Sequence, residues 1–383
     1  NLPAGSAGDI VSMADYAATW QTYNVTVSAN GSEKIGGVAD DATLNTQGQS
    51  VTFVYVDAVQ GWVNTMDSTS NVRGASFITA TVSGSCNTLT TAPDCANIKV
   101  AKFVNPGTFC VSSAATCATN NLVSYMVIGG GAGGGKNDGG AGGAGGFREL
   151  SSPTSPYTAS PLDGYPTAGN RITVSATPYS IQVGGGGAQA PGPSTNGNDG
   201  VASVFSTISS AGGGGGASET GPREGTAGGS GGGGGAGGGT AGGGGNGNTP
   251  SVTPAQGTNG GGGNVGSPSG TARAGGGGGG AGGVGANGVG GGGGVSIGGA
   301  GGAGVTNTID GASTVRDSGG SGGARDSGKP ATPGGGGSGG HSSLAGGNGT
   351  DNTGGGGGGA GEGSPGAAGN GGSGIVIIRY KFQ

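Results

Sequence analysis

The chain has one histidine, two tryptophans, three methionines and four cysteines in 383 residues; 9 % of it is charged and 4 % aromatic. A single histidine leaves little material for general acid–base chemistry or metal ligation. No enzyme, cofactor or metal is therefore expected. Fourteen Lys and Arg against nineteen Asp and Glu give a net charge of −5, so no basic footprint suggests nucleic acid. No run of eighteen apolar residues occurs, and the opening residues carry no apolar leader core, so neither a membrane-embedded protein nor a visible signal peptide is expected.

What is abundant is glycine, with 108 residues against roughly 7 % in an average protein. Only 10 fall in residues 1–128; the other 98 fall in residues 129–383. The first part reads as ordinary β-rich protein. Ile10–Met13, Val25–Val27 and Val51–Val56 are short apolar or alternating runs between turn residues. In the last of these Val51, Phe53 and Tyr55 share one face. Turn clusters at Asn30–Ser32 and Asn45–Gly48 suggest a small antiparallel module ending near Trp62. Further runs follow at Ala75–Val82, Ile98–Val104, Thr108–Ser112 and Leu122–Ile128, and none carries a helical stripe.

From Gly129 different physics applies. Glycine loses the most backbone entropy on ordering and weakens a helix by about 1 kcal/mol relative to alanine, so this region cannot be α-helical. It also lacks the side chains of a normal core. A flexible Gly/Ser linker is the bland alternative, and collagen is excluded because no three-residue glycine frame is kept. The reading adopted is a bundle of extended three-fold helices of polyglycine-II geometry. Without Cβ atoms, neighbouring backbones can approach and exchange N–H···O=C bonds laterally. Islands interrupt the glycine, and Ile172–Val174, Tyr179–Val183 and Ile375–Phe382 read as strands.

The sequence thus predicts all-β N-terminal modules followed by a polyglycine-II helical bundle capped by a β-sheet, with no α-helix of note. Residues 1–66 form a small β-rich module and 67–128 a β-rich segment leading into the next domain. Residues 129–383 form the glycine-rich domain, its strand 375–382 closing on 122–128.

Glycine motifs arise by chance in such a chain. Gly129-x-Gly131-x-x-Gly134 with Glu149 imitates a dinucleotide fingerprint, and Gly130…Gly135-Lys136 a phosphate loop. Both need a helix that the Gly/Ala run 137–146 cannot supply, and Asn137 stands where Ser or Thr is required. Gly346–Asp351 matches one calcium-binding nonapeptide without a stacked neighbour. Gly228–Gly232 fits a nucleophile elbow but has no positioned base. The four cysteines allow three pairings. Spacings of nine and seven residues suit short β-loops, which favours Cys86–Cys95 and Cys110–Cys117, each worth about 2–3 kcal/mol; four buried thiols are the alternative. Without a Cys-x-x-Cys pair zinc is disfavoured, and disulfides would place the protein outside a reducing cytosol.

The stretch Tyr125–Gly135, with Gly142–Glu149 after it, resembles the opening of glycine-rich domains in bacteriophage tail-fibre proteins. Tyr179–Gly184 and Ser203–Ile208 look like the continuation, and Gly371–Tyr380 is similar to the usual close. Leu2–Ala4 through Gly8-Asp9 to Val54–Asp57 and Gln60–Trp62 resembles a module of marine-phage structural proteins. The resemblance implies a virion fibre, trimeric as such fibres usually are. It would bind a bacterial surface saccharide or outer-membrane protein and be fixed to other tail proteins. A subunit of an extracellular filament or surface layer is the alternative. Loops that could touch a host are the polar islands, with Tyr157, Tyr165, Arg223, Glu224, Arg316, Arg325, Lys329 and His341 as contact candidates, since Tyr and Arg most often anchor interfaces.

Overall fold

The computed structural model describes residues 1–68, 76–266, 272–291, 295–342, 344–363 and 367–383. The chain divides into two compact units, Asn1–Ala75 and Ser76–Gln383. Among the described residues there is no α-helix; two 3-10 turns, Ala118–Asn121 and Ala168–Asn170, are the nearest approach.

The first unit holds β1 (Ile10–Ala14), β2 (Val25–Val27), β3 (Ala42–Leu44), β4 (Ser50–Asp57) and β5 (Gly61–Ser68). The order β1-β4-β5 makes an antiparallel sheet, and β2 pairs with β3. The alternation in β4 buries Val51, Phe53 and Tyr55 against Leu2, Val27, Leu44 and Trp62. Because β5 continues to Ser68, the module runs past the expected end near Trp62 and the boundary at 66/67. Ala75, expected to open the next strand, lies outside the described residues, as do residues 69–74 of the expected second segment.

In the second unit β6 (Thr79–Val82), β7 (Thr88–Ala92), β8 (Cys95–Phe103), β9 (Gly107–Ser113), β10 (Ser124–Ile128) and β11 (Phe147–Leu150) come first. Then follow β12 (Pro178–Gln182), β13 (Ser203–Phe205) and β14 (Ile208–Ser210). Short hairpins occupy the glycine-rich stretch: β15 (Ala236–Gly237) with β16 (Thr240–Ala241), and β17 (Asn264–Val265) with β18 (Arg273–Ala274). Two more are β19 (Val289–Gly290) with β20 (Ser296–Ile297), and β21 (Val305–Asn307) with β22 (Thr314–Arg316). The last strand is β23 (Ile375–Lys381).

Two five-stranded sheets, β11-β10-β23-β8-β7 and β14-β13-β12-β9-β6, face each other across one core. Phe103, Phe109, Tyr125, Ile181, Phe205 and Tyr380 fill it. The Phe205 ring meets Phe109, Tyr125 and Tyr179 edge-on, a favourable arrangement for aromatic pairs. The alternate residues Met126, Ile128, Ile375 and Ile377 point to the other face, where Val305, Ile309 and Tyr157 cover them. The expected closure is found: β23 pairs antiparallel with β10, Tyr125 opposite Ile378. On its other edge β23 pairs with β8, and β9 pairs with β12. The segment expected at 67–128 is therefore no separate domain from Ser76 on, because its strands share sheets with strands from the glycine-rich region. Ile172–Val174 is not a strand either. Its backbone makes one bridge, with Val123 N donating to Ile172 O and Val174 N to Asn121 O, and no ladder.

The four cysteines are free, contrary to the expected bridges. The reason for Cys86 and Cys95 is the length of the β7–β8 hairpin: Thr88 lies opposite Lys102 and Ala92 opposite Cys95. Cys86 precedes one end and Cys95 begins the other, several residues at about 3.3 Å each apart, beyond disulfide reach. Cys110 lies inside β9, between β6 and β12, whereas Cys117 precedes the first 3-10 turn.

Outside the strands the glycine segments are extended and bonded sideways with a period of three. Along 129–135, Gly129 and Ala132 donate to Gly146 and Gly143, Gly130 and Gly133 to Val201 and Asn198, and Gly131 and Gly134 to Gly372 and Gly369. Each partner steps back three residues as the donor steps forward three. The carbonyls of this segment accept from three further segments, as when Gly130 and Gly133 receive Gly213 and Gly216. Segment 139–146 behaves alike: Gly140 and Gly143 donate to Ala217 and Gly214, whereas Ala141 and Ala144 donate to Gly276 and Gly279 in a parallel sense. A Cβ at Gly142 would lie well under 3.0 Å from the Ala132 carbonyl oxygen. Here glycine is required by close approach, not by turn geometry.

Candidate functional site

The hydrogen-bond register sorts the connections of the second unit into two ends. Segments such as 129–135, 211–217 and 354–360 run away from the sheets, and 139–146, 275–280 and 298–304 run back. Their connections at the far end are the turn at Lys136–Asp138, loops 191–196 and 218–224, hairpins β15–β16, β17–β18 and β19–β20, and turns near 325–329, 341–344 and 361–363. Asn137 and Asp138 both adopt positive φ, 52° and 47°, a conformation that Asn and Asp tolerate better than other side-chain-bearing residues.

These loops brace one another. Thr220 N donates to Pro193 O at 2.9 Å, Asn196 to Glu224 O at 3.0 Å and Arg223 to Thr240 Oγ1 at 2.9 Å. Ser296 Oγ donates to Asp326 at 2.8 Å. At their centre Arg273 faces three carboxylates, Asp138 at 3.4 Å, Glu362 at 2.5 Å and Glu219. Asp138 is fully buried, and Glu362 N donates to it at 3.1 Å. Burial pushes its carboxyl up to about 7, against the pull of Arg273. Four connections far apart in sequence thus meet on one guanidinium.

Five of the eight contact candidates lie at this end. Glu224, Arg325 and Lys329 are exposed, and Arg223 and His341 are half-buried. Arg223 is engaged by Glu219 O at 2.8 Å as well as by Thr240, and His341 closes a turn with Leu344. The other three sit at the sheet end, and two of those are corrections. Arg316 is buried and bound by Asp310 at 2.6 Å and Asn307 at 3.4 Å. Tyr157 packs against the sheet face, its hydroxyl buried without a hydrogen bond. Burial, with Glu149 beside it, raises its pKa well above 10. Both lie in islands of polar composition that turn these side chains inward, Arg316 onto Asp310 and Asn307 and the Tyr157 ring onto the apolar sheet face. Tyr165 remains at the surface, in a cleft with Arg171.

A family model for a glycine-rich domain matches residues 104–381, from between β8 and β9 to the end of β23. The chain belongs to this glycine-rich domain family. Its matched span takes in the laterally bonded segments and seven of the ten strands of the two sheets, while β6, β7 and β8 lie before it. No curated protein matches the chain.

In this glycine-rich domain the motif imitations lack the elements their chemistry needs. After Lys136 the chain turns through Asn137 and Asp138 and extends from Gly139, with no helix N-terminus there for a phosphate. Among the described residues no group of three or more His, Cys, Asp or Glu side chains could hold a metal ion, and no helix is long and apolar enough to cross a membrane. What sequence reasoning missed is the Arg273 cluster. Its members, Asp138, Glu219, Arg273 and Glu362, are separated by up to 224 residues, so no local spacing marks them.

Proposed function

We propose that this chain is a non-enzymatic structural fibre or adhesin protein of a bacteriophage virion, presenting loops on a rigid glycine-rich bundle for attachment to a bacterial surface. The bundle in this reading consists of three-fold polyglycine-II helices, for which a three-residue donor period and exclusion of Cβ atoms are the expected signs. The observation that carries the reading is the gathering of mutually braced loops at one end, away from the sheets. A lattice of backbone bonds holds such loops in place at little cost in side chains, and it tolerates change in their sequence. A surface saccharide or outer-membrane protein is the receptor class, with Glu224, Arg325 and Lys329 as the accessible charges. Other tail proteins anchor the virion fibre, and a homotrimer would form through surfaces other than the internally satisfied segments.

The reading is tested by electron microscopy of the native assembly and by adsorption. A short fibre on a virion, with isolated protein blocking adsorption to the host, is the expected result. A long helical filament without a virion would overturn it in favour of an extracellular filament subunit. That second reading is favoured by the exposed apolar side chains Ile10, Val56 and Met66 on the sheet of the first unit, since such patches mark association surfaces. The helix geometry has its own test: a crystal structure should return about 3.1 Å rise per residue along 139–146. A two-residue pleat there would reject polyglycine II.

A further inference from the structure

At the sheet end of the second unit, a cleft of about 490 Å³ opens between the first 3-10 turn, the loop after β11 and residues 165–173. Its size is that of a small-molecule site. Leu122 and Pro153 supply an apolar wall, Thr119 and Thr173 supply hydroxyls, and Tyr165 and Arg171 stand together on one side. The Arg171 Cζ lies 5.3 Å from the centre of the Tyr165 ring. A stacked guanidinium keeps its in-plane N–H donors free, the geometry that binds a carboxylate bidentately. Arg171 has no ion-pair partner among the described residues. Asp163 makes no ion pair with it, and its Oδ1 accepts from the backbone N–H groups of Ser151 and Tyr165, both at 3.0 Å.

The cleft is built rather than collapsed. Asn121 exchanges two hydrogen bonds with Ala115, at 2.7 and 2.9 Å, and so holds the 3-10 turn. Residues 171–174 are tied to the start of β10 through Val123 N to Ile172 O and Val174 N to Asn121 O. Asn170, next to Arg171, receives Arg148 at 2.6 Å and donates to Thr253 O at 3.0 Å. None of these bonds uses the Arg171 guanidinium, so the backbone that carries it is fixed while the cation itself meets the Tyr165 ring and, among the described residues, no carboxylate.

We infer that this cleft is a binding site for an acidic sugar residue, its carboxylate on Arg171, the C–H face of its ring on Tyr165 and its hydroxyls toward Thr119 and Thr173. The site is independent of the far-end loops and of any role in attachment. The chemistry distinguishes three probes: glucuronate carries carboxylate and hydroxyls, methyl glucoside the hydroxyls alone, and benzoate the carboxylate on a flat ring alone. Calorimetric titration of the full chain should find glucuronate the tightest, each of the others about tenfold weaker or more. Arg171→Gln should cost glucuronate at least about tenfold while lowering the melting temperature only slightly, because Arg171 is exposed and the Tyr165 ring is, among the described residues, the one contact its guanidinium gives up. Added salt should weaken glucuronate and leave methyl glucoside unmoved. No heat with glucuronate, equal binding of methyl glucoside, benzoate as tight as glucuronate, or an unaltered affinity in R171Q would each overturn the assignment. Should R171Q fail to fold, the three-probe series on the unaltered chain decides alone.

Discussion

The sandwich and the glycine segments of the second unit achieve order by opposite means. In the sandwich, large side chains fill the space between two sheets, and backbone bonds run only between neighbouring strands. In the segments the side chains are gone, and each backbone bonds to neighbours all round. The first is stabilised by apolar area removed from water, the second by peptide groups that would otherwise be buried without partners. The two should therefore fail differently, the sandwich by subtraction of atoms and the segments by addition.

The largest effect is expected from subtraction at the centre of the sandwich. Phe205→Ala empties the site shared with Phe109, Tyr125 and Tyr179 and should cost about 3–5 kcal/mol in denaturant unfolding. Addition is the converse: Gly142→Ala places a methyl on the Ala132 carbonyl, with an expected loss of about 3 kcal/mol, the upper end for overpacking. A loss below 1 kcal/mol would mean that the segments yield more readily than described. Next comes Asp94→Ala, which strips the partner from the buried Arg379, held at 2.8 and 3.0 Å. Since the Asp94 carboxyl is more than a third exposed, about 2 kcal/mol is expected rather than the full cost of a dry pair. Arg379's hydrogen bonds hold that carboxyl below its ordinary value, so its contribution is present above the unfolded pKa and lost as pH falls through the folded one.

A gain of about 0.4–1 kcal/mol is expected from Gly185→Ala, where a Cβ meets nothing within 4 Å. One residue on, at Gly186, a Cβ would fall on the Gly371 carbonyl, so the same substitution should be destabilising there. That neighbouring pair is the sharpest test of the contrast. The smallest effect is one of slope. The folded Asp138 carboxyl titrates near 7, above the ordinary 3.8, so the folded state holds the extra proton between those values. Its contribution makes stability fall as pH rises across that window. Asp138→Asn should flatten the fall in melting temperature measured from pH 4 to 7.

Much of the β structure of both units was legible because its cues are local. The alternation in Val51–Val56 and the apolar runs at β10 and β23 identify strands directly, and the two runs flanking the glycine region are natural partners. Cysteine spacing misled because it measures distance along the chain, whereas the β7–β8 hairpin carries Cys86 and Cys95 to opposite ends. Ile172–Val174 misled for a related reason. Its apolar side chains serve the core, but its backbone is committed to a single bridge beside Leu122. In the candidate site, the polar islands announced loops without telling which end they occupy or whether their charges turn outward. Arg316 faces Asp310, six residues earlier, a pairing that sequence could have suggested. Arg273 faces partners that only the register of the glycine segments brings near.

The position of β23 sets a timetable for synthesis. It lies between β10 and β8, so the middle of a sheet begun before residue 130 is supplied only at residues 375–381. A ribosome delivering this chain releases both flanking strands about 250 residues before the strand that separates them. In the interval those strands must be kept from closing on each other, and the nascent glycine-rich stretch lacks part of its frame. High separation between partners slows folding in general. Here it also works as a completeness check, because a message cut short anywhere before residue 375 yields a chain whose sheet cannot be finished.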